Sequence, residues 1–454
     1  MDAWPTPRLV VSGQLSTTYV SSEEEGLLSE RNITDGERQI AQRARKVMPG
    51  GSLGNLTSDI VITEGKAGRV RDASGNEYVD YLLGSGPMLV GHANPEVMAA
   101  VRQQLEKGST FFANNEHAVR LAEEIVSAVA CAERVRFTTS GTEATLYAMR
   151  AARAFRGRDK ILKFEGGYHG MHDYALMSMM PANPVDFPQA TPDSAGIPKS
   201  VQNEMLVAPF NDLEKTSAII EEHHDELAAV IVEPFQRLLP PKPGFLQGLR
   251  DVTNQYEIPL IFDEIVTGFR FAYGGAQQFY GVTPDLCTMG KVIAGGFPLA
   301  VIAGNVEMMA HFDRTAEPDA FMPQIGTLSG NPVAAVAGLA TLDILKRPGT
   351  YERLFATGQT LKDELQRLMD EAEIPAKVVG EAPLFDVFFT EEEITDYRST
   401  LRANRDLLRR FNALLLGEGV LKGDSKFYVS VAHDQADVQH TIDAFESAVE
   451  QLKG

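Results

Sequence analysis

The stretch RVRFTTSGTEATLYAMRAARAFRG, Arg134 to Gly157, decides the fold class. Its first five residues read as a β-branched and aromatic strand, and a tight polar turn follows. Ala144, Ala148, Ala151 and Ala152 then recur at helical spacing. Ser140 and Glu143 have the S-x-x-E spacing of a capping box, which places the helix start between them. A strand, a turn and a helix N-terminus in succession leave free backbone N–H groups at the positive end of a helix dipole. Ser140, Gly141 and Thr142 are therefore a candidate anion site, although a well-capped crossover helix without a ligand has the same pattern.

Outward from this unit the alternation repeats. Strand patterns run through KILKFEG, EMLVAPF, AAVIVEP, PLIFDE, DLCTMG and LAVIAGN, with helical stretches between most of them. Several are near-continuous apolar runs, as expected of strands covered on both faces. The pattern predicts an α/β domain with a mostly parallel sheet of seven strands. Before it, residues 1 to about 35 read as an irregular, partly acidic arm, and ERQIAQRARKVMPGG as a helix ended by Pro49-Gly50-Gly51. DIVITEGKAGRVRDASGNEYVDYL predicts strands joined by a Ser-Gly-Asn turn. After Asn331, long helices and a few strands, LFDVFFT and KFYVSVA among them, predict a smaller α+β unit. The expected division is an N-terminal arm and small-domain segment over 1–93, a large domain over 94–331 and a C-terminal small domain over 332–454.

The chain has 454 residues, 42 bases and 62 acids, a net charge of −20. That balance argues against nucleic acid and anionic lipid as partners, since both demand basic patches. No apolar run is long enough to span a membrane, and the first residues lack a signal-peptide layout. Cys131 and Cys287 are the only cysteines, which excludes a disulfide scaffold or a four-cysteine zinc site and fits a reducing cytoplasm.

Ligands of open α/β sheets lie beyond the carboxyl ends of the strands. In IPLIFDEIVTGFRF, Asp263 ends an apolar strand and shares a face with Ile265, while Glu264 points the other way. A buried carboxylate there needs a partner, and a protonated ring nitrogen or an arginine would serve. Lys291 follows a strand and precedes a glycine pair, so its amine is placed either for a salt bridge or for a Schiff base with a carbonyl cofactor. In KFEGGYHGMHDYA, Gly166 and Gly167 allow a close bend, and Tyr168 can stack on a flat ligand. His169 and His172 have no convincing third ligand, so no metal is expected. Glu233 and Gln236 close VIVEPFQ, where they can bond ring substituents or serve structure alone. Gly326, Thr327 and Ser329 in IGTLSGNP form a second phosphate-compatible turn. Together these residues ask for a flat, phosphorylated, nitrogen-ring aldehyde, and pyridoxal 5′-phosphate fits.

The series SGTEA, GGYHG, VEP, DEIVTGFR, GK and GTLSGNP resembles the class III, fold-type-I aminotransferases. GRDKILKFEGGYHG, GGAQQFYGVTPDL and GTLSGNPVA are similar to the glutamate-1-semialdehyde aminomutase branch. The likeness runs from about Ala41 to the C-terminus. It implies that Lys291 carries the cofactor, Asp263 meets the pyridine nitrogen, Tyr168 and Ile265 cover the ring faces, and Ser140, Gly141 and Thr142 hold the phosphate. It further implies that His169 borders the cofactor, that Glu233 and Gln236 lie near the ring hydroxyl and the substrate, and that Thr327 reaches the phosphate of a second subunit in a homodimer. The substrate side departs from that branch. Gly54 and Thr57 stand where it carries a serine and an arginine after PGG. Ser85 replaces the tryptophan of a W-G-P-M run, and Pro323 replaces a tyrosine. Arg237 is a candidate replacement clamp for a carboxylate. The expected activity is therefore transamination of amines or non-α-amino acids with a keto acid such as pyruvate or 2-oxoglutarate. The alternatives are a glutamate-1-semialdehyde 2,1-aminomutase and an amino-acid racemase or epimerase.

Overall fold

A seven-stranded sheet organises the chain. In the computed structural model, which describes residues 31–56 and 60–453, its strands lie in the order Arg134–Thr138, Ala300–Gly304, Leu286–Met289, Leu260–Glu264, Leu227–Val232, Lys160–Phe164, Met205–Ala208. Ala300–Gly304 is antiparallel to both neighbours, and the other pairings are parallel. The carboxyl ends of the remaining strands therefore share one edge. Leu227–Val232 and Leu260–Glu264 are buried along their whole length, which explains why they read as apolar runs rather than as alternation.

The helix Gly141–Arg156 follows the first of these strands, as its capping pattern predicts. Ser140 Oγ accepts from the Glu143 N–H at 3.2 Å, and the Glu143 carboxylate accepts from the Ser140 N–H at 3.1 Å and the Thr139 N–H at 2.8 Å. Ala144, Ala148, Ala151 and Ala152 are fully buried, so the small side chains bring the helix close against the sheet. Gly157 ends it in the left-handed region at φ 63°.

Two smaller sheets flank this body. Ile62–Lys66, Arg69–Asp72 and Glu77–Asp80 form a meander, and Val420–Leu421 adds to its edge in parallel. Lys377–Glu381, Leu384–Phe388 and Phe427–Tyr428 form a three-stranded sheet. The segment KFYVSVA thus contributes only a two-residue strand. The arm expected over the first residues lies, up to residue 30, outside the described residues. Among the described residues, no helix is long and apolar enough to cross a membrane.

Candidate active site

Five segments that leave the shared sheet edge carry the residues singled out above. Asp263 is buried at the end of Leu260–Glu264, and both of its oxygens are engaged. Oδ2 pairs with His169 Nδ1 at 2.8 Å. Oδ1 accepts from Thr288 Oγ1 at 3.1 Å and from the Ile265 N–H at 3.2 Å. A carboxylate can only accept, so His169 carries its proton on Nδ1, and Nε2 is left buried and without a partner. Glu264 turns to the opposite face and accepts from Thr267 and the N–H groups of Ala276 and Gln277.

Ile265 is the wedge that brings the segments together. A Cβ at Gly141 would lie 3.1 Å from its Cδ1, and a Cβ at Gly290 would lie 3.2 Å from the same atom. Both glycines are thus required by close approach, one at the helix start and one at the lysine turn. Lys291 follows Gly290 in the left-handed region at φ 46°, a strained backbone for a side chain with a Cβ. Burial, seconded by the nearby Arg270 and Arg237 cations, pushes its amine down to about 8, against the pull of Asp263 and Glu233.

At the helix start, the Glu143 and Ala144 N–H groups are taken by Ser140. The N–H groups of Gly141 and Thr142, at the first two helical positions, have no partner within the helix. The loop Gly166–Met177 lies over this cradle. A Cβ at Gly170 would fall 2.7 Å from Thr142 Oγ1, and that hydroxyl accepts from the Met171 N–H at 3.2 Å. Glu233 Oε2 accepts from the Tyr168 N–H at 2.8 Å, so the carboxylate first expected at a ring substituent also fixes the loop. Gln236 donates to the Glu165 carbonyl at 2.8 Å, while its Oε1 is buried without a partner. A Cβ on Gly167 would approach both unpartnered atoms, His169 Nε2 at 3.2 Å and Gln236 Oε1 at 3.5 Å. The Arg237 guanidinium lies over the Tyr168 ring at 5.2 Å. His172 is structural: its Nδ1 accepts from the Ala175 N–H at 3.2 Å, and burial pushes it down to about 3, which keeps it neutral.

The remaining positions are more peripheral. Ser85 is exposed, sits at φ 64°, and lies near the Tyr428 hydroxyl. Thr327 is exposed in the loop before the helix Pro332–Leu345. Thr57 lies outside the described residues.

Several residues of the site escape a reading of single motifs. Thr288 reaches Asp263 only because Leu286–Met289 pairs in register with Leu260–Glu264, and register between strands distant in sequence is not written in either one. Lys163 stands in the apolar strand KILKF, and that anomaly is the available signal. Its buried ammonium donates to the carbonyls of Gly167, Ala175 and Met177 at 3.0, 2.9 and 2.7 Å, so it staples down the loop that carries Tyr168 and His169. Arg270 is fully buried, donates to the Gly86 carbonyl and lies over the Tyr428 ring at 5.1 Å.

The donor set suits a phosphorylated ring aldehyde: an amine brought near neutrality, a buried acid, an aromatic, and a glycine cradle with two free N–H groups. Comparison with known proteins agrees. The sequence model of the Aminotransferase class-III family matches residues 53–449. The glutamate-1-semialdehyde 2,1-aminomutase of Methanothermobacter thermautotrophicus is 39% identical over 425 residues, 91% of this chain and 99% of that protein. Among solved structures, an omega-transaminase from Sphaerobacter thermophilus superposes with a TM-score of 0.88 at 38% identity, covering 92% of this chain and 98% of its own. A transaminase with pyridoxal phosphate bound gives 0.85 at 29% identity, covering 93% and 99%. The chain therefore belongs to the class III aminotransferases, fold-type-I enzymes whose cofactor is pyridoxal 5′-phosphate.

Proposed function

We propose that this enzyme transfers an amino group from an amine or a non-α-amino acid to a keto acid such as pyruvate, with Lys291 as the lysine that holds the cofactor. The observation that carries the reading is the convergence on Ile265. Its side chain lies between the helix start at Gly141 and the lysine turn at Gly290, two residues beyond Asp263.

When bound, pyridoxal phosphate supplies an electron sink for the carbanion that forms when a substrate carbon loses its proton. The chain supplies the rest. Asp263, held by His169 and Thr288, keeps a proton on the ring nitrogen. Gly141 and Thr142 offer N–H groups to the phosphate, and Ser140 orders the turn that presents them. Tyr168 covers one ring face and Ile265 supports the other. Glu233 and Gln236 border the ring hydroxyl and the substrate. The Lys291 amine, neutral above about pH 8, would hold the cofactor through its carbonyl carbon with loss of water, and as a free amine its Nζ would be placed to accept the proton that leaves the substrate carbon.

The sequence departures on the substrate side support transamination over isomerisation. Ser85 stands in place of a tryptophan and opens room for a bulkier group, and Gly54 and Thr57 remove the arginine and serine of the aminomutase branch. The aminomutase is the second reading, supported by the 39% identity to such a protein across 91% of this chain. A half-reaction screen separates the two. The holoenzyme is mixed with amines and α-, β- and ω-amino acids without acceptor, and the cofactor spectrum and products are followed. Transamination gives the amine form of the cofactor and one ketone per site. Reaction with glutamate-1-semialdehyde alone, giving 5-aminolevulinate, establishes the aminomutase. Inversion of configuration without a ketone product establishes a racemase or epimerase.

We further infer that the working unit is a cytoplasmic homodimer. Phe112 is 70% exposed and Ile325 78% exposed. Their segments are tied together by the bond from Asn115 Nδ2 to the Gly330 carbonyl at 2.9 Å. An apolar surface of this kind, with Thr327 inside it, supports a second copy as its cover.

A further inference from the structure

Among the described residues, three lysines are buried: Lys163, Lys422 and Lys426. Two are fully partnered. Lys163 donates to three carbonyls, and Lys422 donates to Asp386 Oδ2 and Asn412 Oδ1, both at 2.8 Å. Among the described residues the Lys426 side chain makes no hydrogen bond and no ion pair, although the chain holds 62 acids against 42 bases. The residue is 7% exposed, and its nitrogen is not one of the side-chain atoms sealed away without a partner, so the Lys426 amine stays open and free to take a ligand.

The placement of Lys426 is not accidental. Phe427 points into the core and is fully buried, so Lys426 and Tyr428 share the opposite face. On that face Tyr428 meets Ser85 and Arg270. The Lys426 ammonium interacts with Arg237, Lys291 and Arg270, all of which repel it, and with Glu233, which attracts it. Glu233 already accepts from the Tyr168 N–H. Arg237 is the second cation here. It stands at φ 61°, outside the range favoured by side chains with a Cβ, over the Tyr168 ring. It too lacks an ion pair among the described residues. The pocket thus gathers two arginines, Arg237 and Arg270, and two lysine amines, Lys291 and Lys426, around Glu233.

We propose that Lys426 and Arg237 form the binding site for a substrate carboxylate, so that the amino donor is an amino acid and not a simple amine. This rests on the transaminase reading and narrows it. An incoming carboxylate gives both cations the partner that the protein withholds, and charge-assisted hydrogen bonds of this kind are the strong ones. Burial and repulsion from Arg237 hold the Lys426 ammonium well below the ordinary lysine range; a carboxylate beside it restores the charged form.

Two measurements on the holoenzyme test the proposal. Binding of propanoate, followed by calorimetry, needs no turnover. The wild type binds it, and Lys426→Met and Arg237→Gln each weaken binding about 10- to 100-fold. The second measurement is the ratio of kcat/KM for 3-aminobutanoate to that for 2-aminobutane, its counterpart without a carboxylate. That ratio favours the amino acid in the wild type and falls about 10- to 100-fold in either variant. Lys426→Met also melts no lower than the wild type, because it removes an amine that has no partner in the protein, whereas loss of a structural lysine lowers the melting temperature. Propanoate binding unchanged in both variants, or a wild type that prefers 2-aminobutane, overturns the proposal and leaves transamination standing. Propanoate bound through Lys426 by a protein that converts no amino compound keeps the carboxylate site and overturns the transaminase reading.

Discussion

In the proposed reaction Lys291 is the residue on which the chemistry turns, and its surroundings set its protonation. Burial and two arginines bring its amine to about 8, where an ordinary lysine titrates near 10.4. The neutral form is the nucleophile. Capture of pyridoxal phosphate by the cofactor-free protein should therefore rise with pH, level off just above about 8, and not continue toward 10. Arg237→Gln removes one repelling charge and should move that midpoint upward; stopped-flow absorbance across a pH series measures both. Asp263 is the second residue on which the proposed reaction depends. Asp263→Asn keeps the size and the bond from Thr288 but loses the charge, so turnover should drop by about two to four orders of magnitude with a near-native melting temperature. A variant that turns over at the wild-type rate would move the role elsewhere, with Glu233 next in place. At this scale the sequence was informative about residue types and poor about partners. Asp263 at a strand end is visible in IPLIFDE. Its grip by Thr288 and His169 depends on strand register and loop path, which residues 25 and 94 positions away cannot announce.

The helix Gly141–Arg156 and the loop Gly166–Met177 show what an element contributes. The capping box was legible because all its partners lie within four residues. Ser140→Ala should lower stability by about 1 kcal/mol and loosen the cofactor, which equilibrium unfolding and dialysis would record separately. The loop was legible only as a bend. Its position comes from Lys163 beneath it, a charge in an apolar strand whose purpose appears only when the three carbonyls are seen to converge. Lys163→Met leaves those acceptors unpaired, at roughly 1–3 kcal/mol for each one that water cannot reach. The melting temperature should fall, and Tyr168 and His169 should lose their place over the site. A variant as stable as the wild type would show that the loop is held by other contacts.

Across the whole molecule, the strand sequence of the large sheet was readable because both faces are covered and each strand is an apolar run. The reversed strand Ala300–Gly304 was not, since direction within a sheet leaves no mark on hydrophobic pattern. Nor was the pairing of Val420–Leu421 with Glu77–Asp80, which joins residues some 340 positions apart; that pairing supports the proposed assembly of the small domain from the N-terminal segment 1–93 and the C-terminal segment 332–454 around the large domain 94–331. The exposed apolar residues on segments 105–112 and 325–328 carry the expectation of a dimer. Sedimentation should give twice the chain mass, and Phe112→Asp with Ile325→Asp should give a monomer that loses cofactor on dilution. A monomer with full cofactor occupancy would contradict shared sites.

The claim on which everything else depends is that the pocket around Ile265 binds the cofactor through Lys291. Borohydride reduction of the holoenzyme, followed by proteolysis and mass mapping, tests it directly. The pocket and its loop offer three lysines: Lys291 at the strand end, Lys163 beneath the loop and Lys426 opposite. Attachment to Lys291 alone, in the peptide MGKVIAGG, is the predicted result; attachment to Lys163, Lys426 or any other lysine would contradict it.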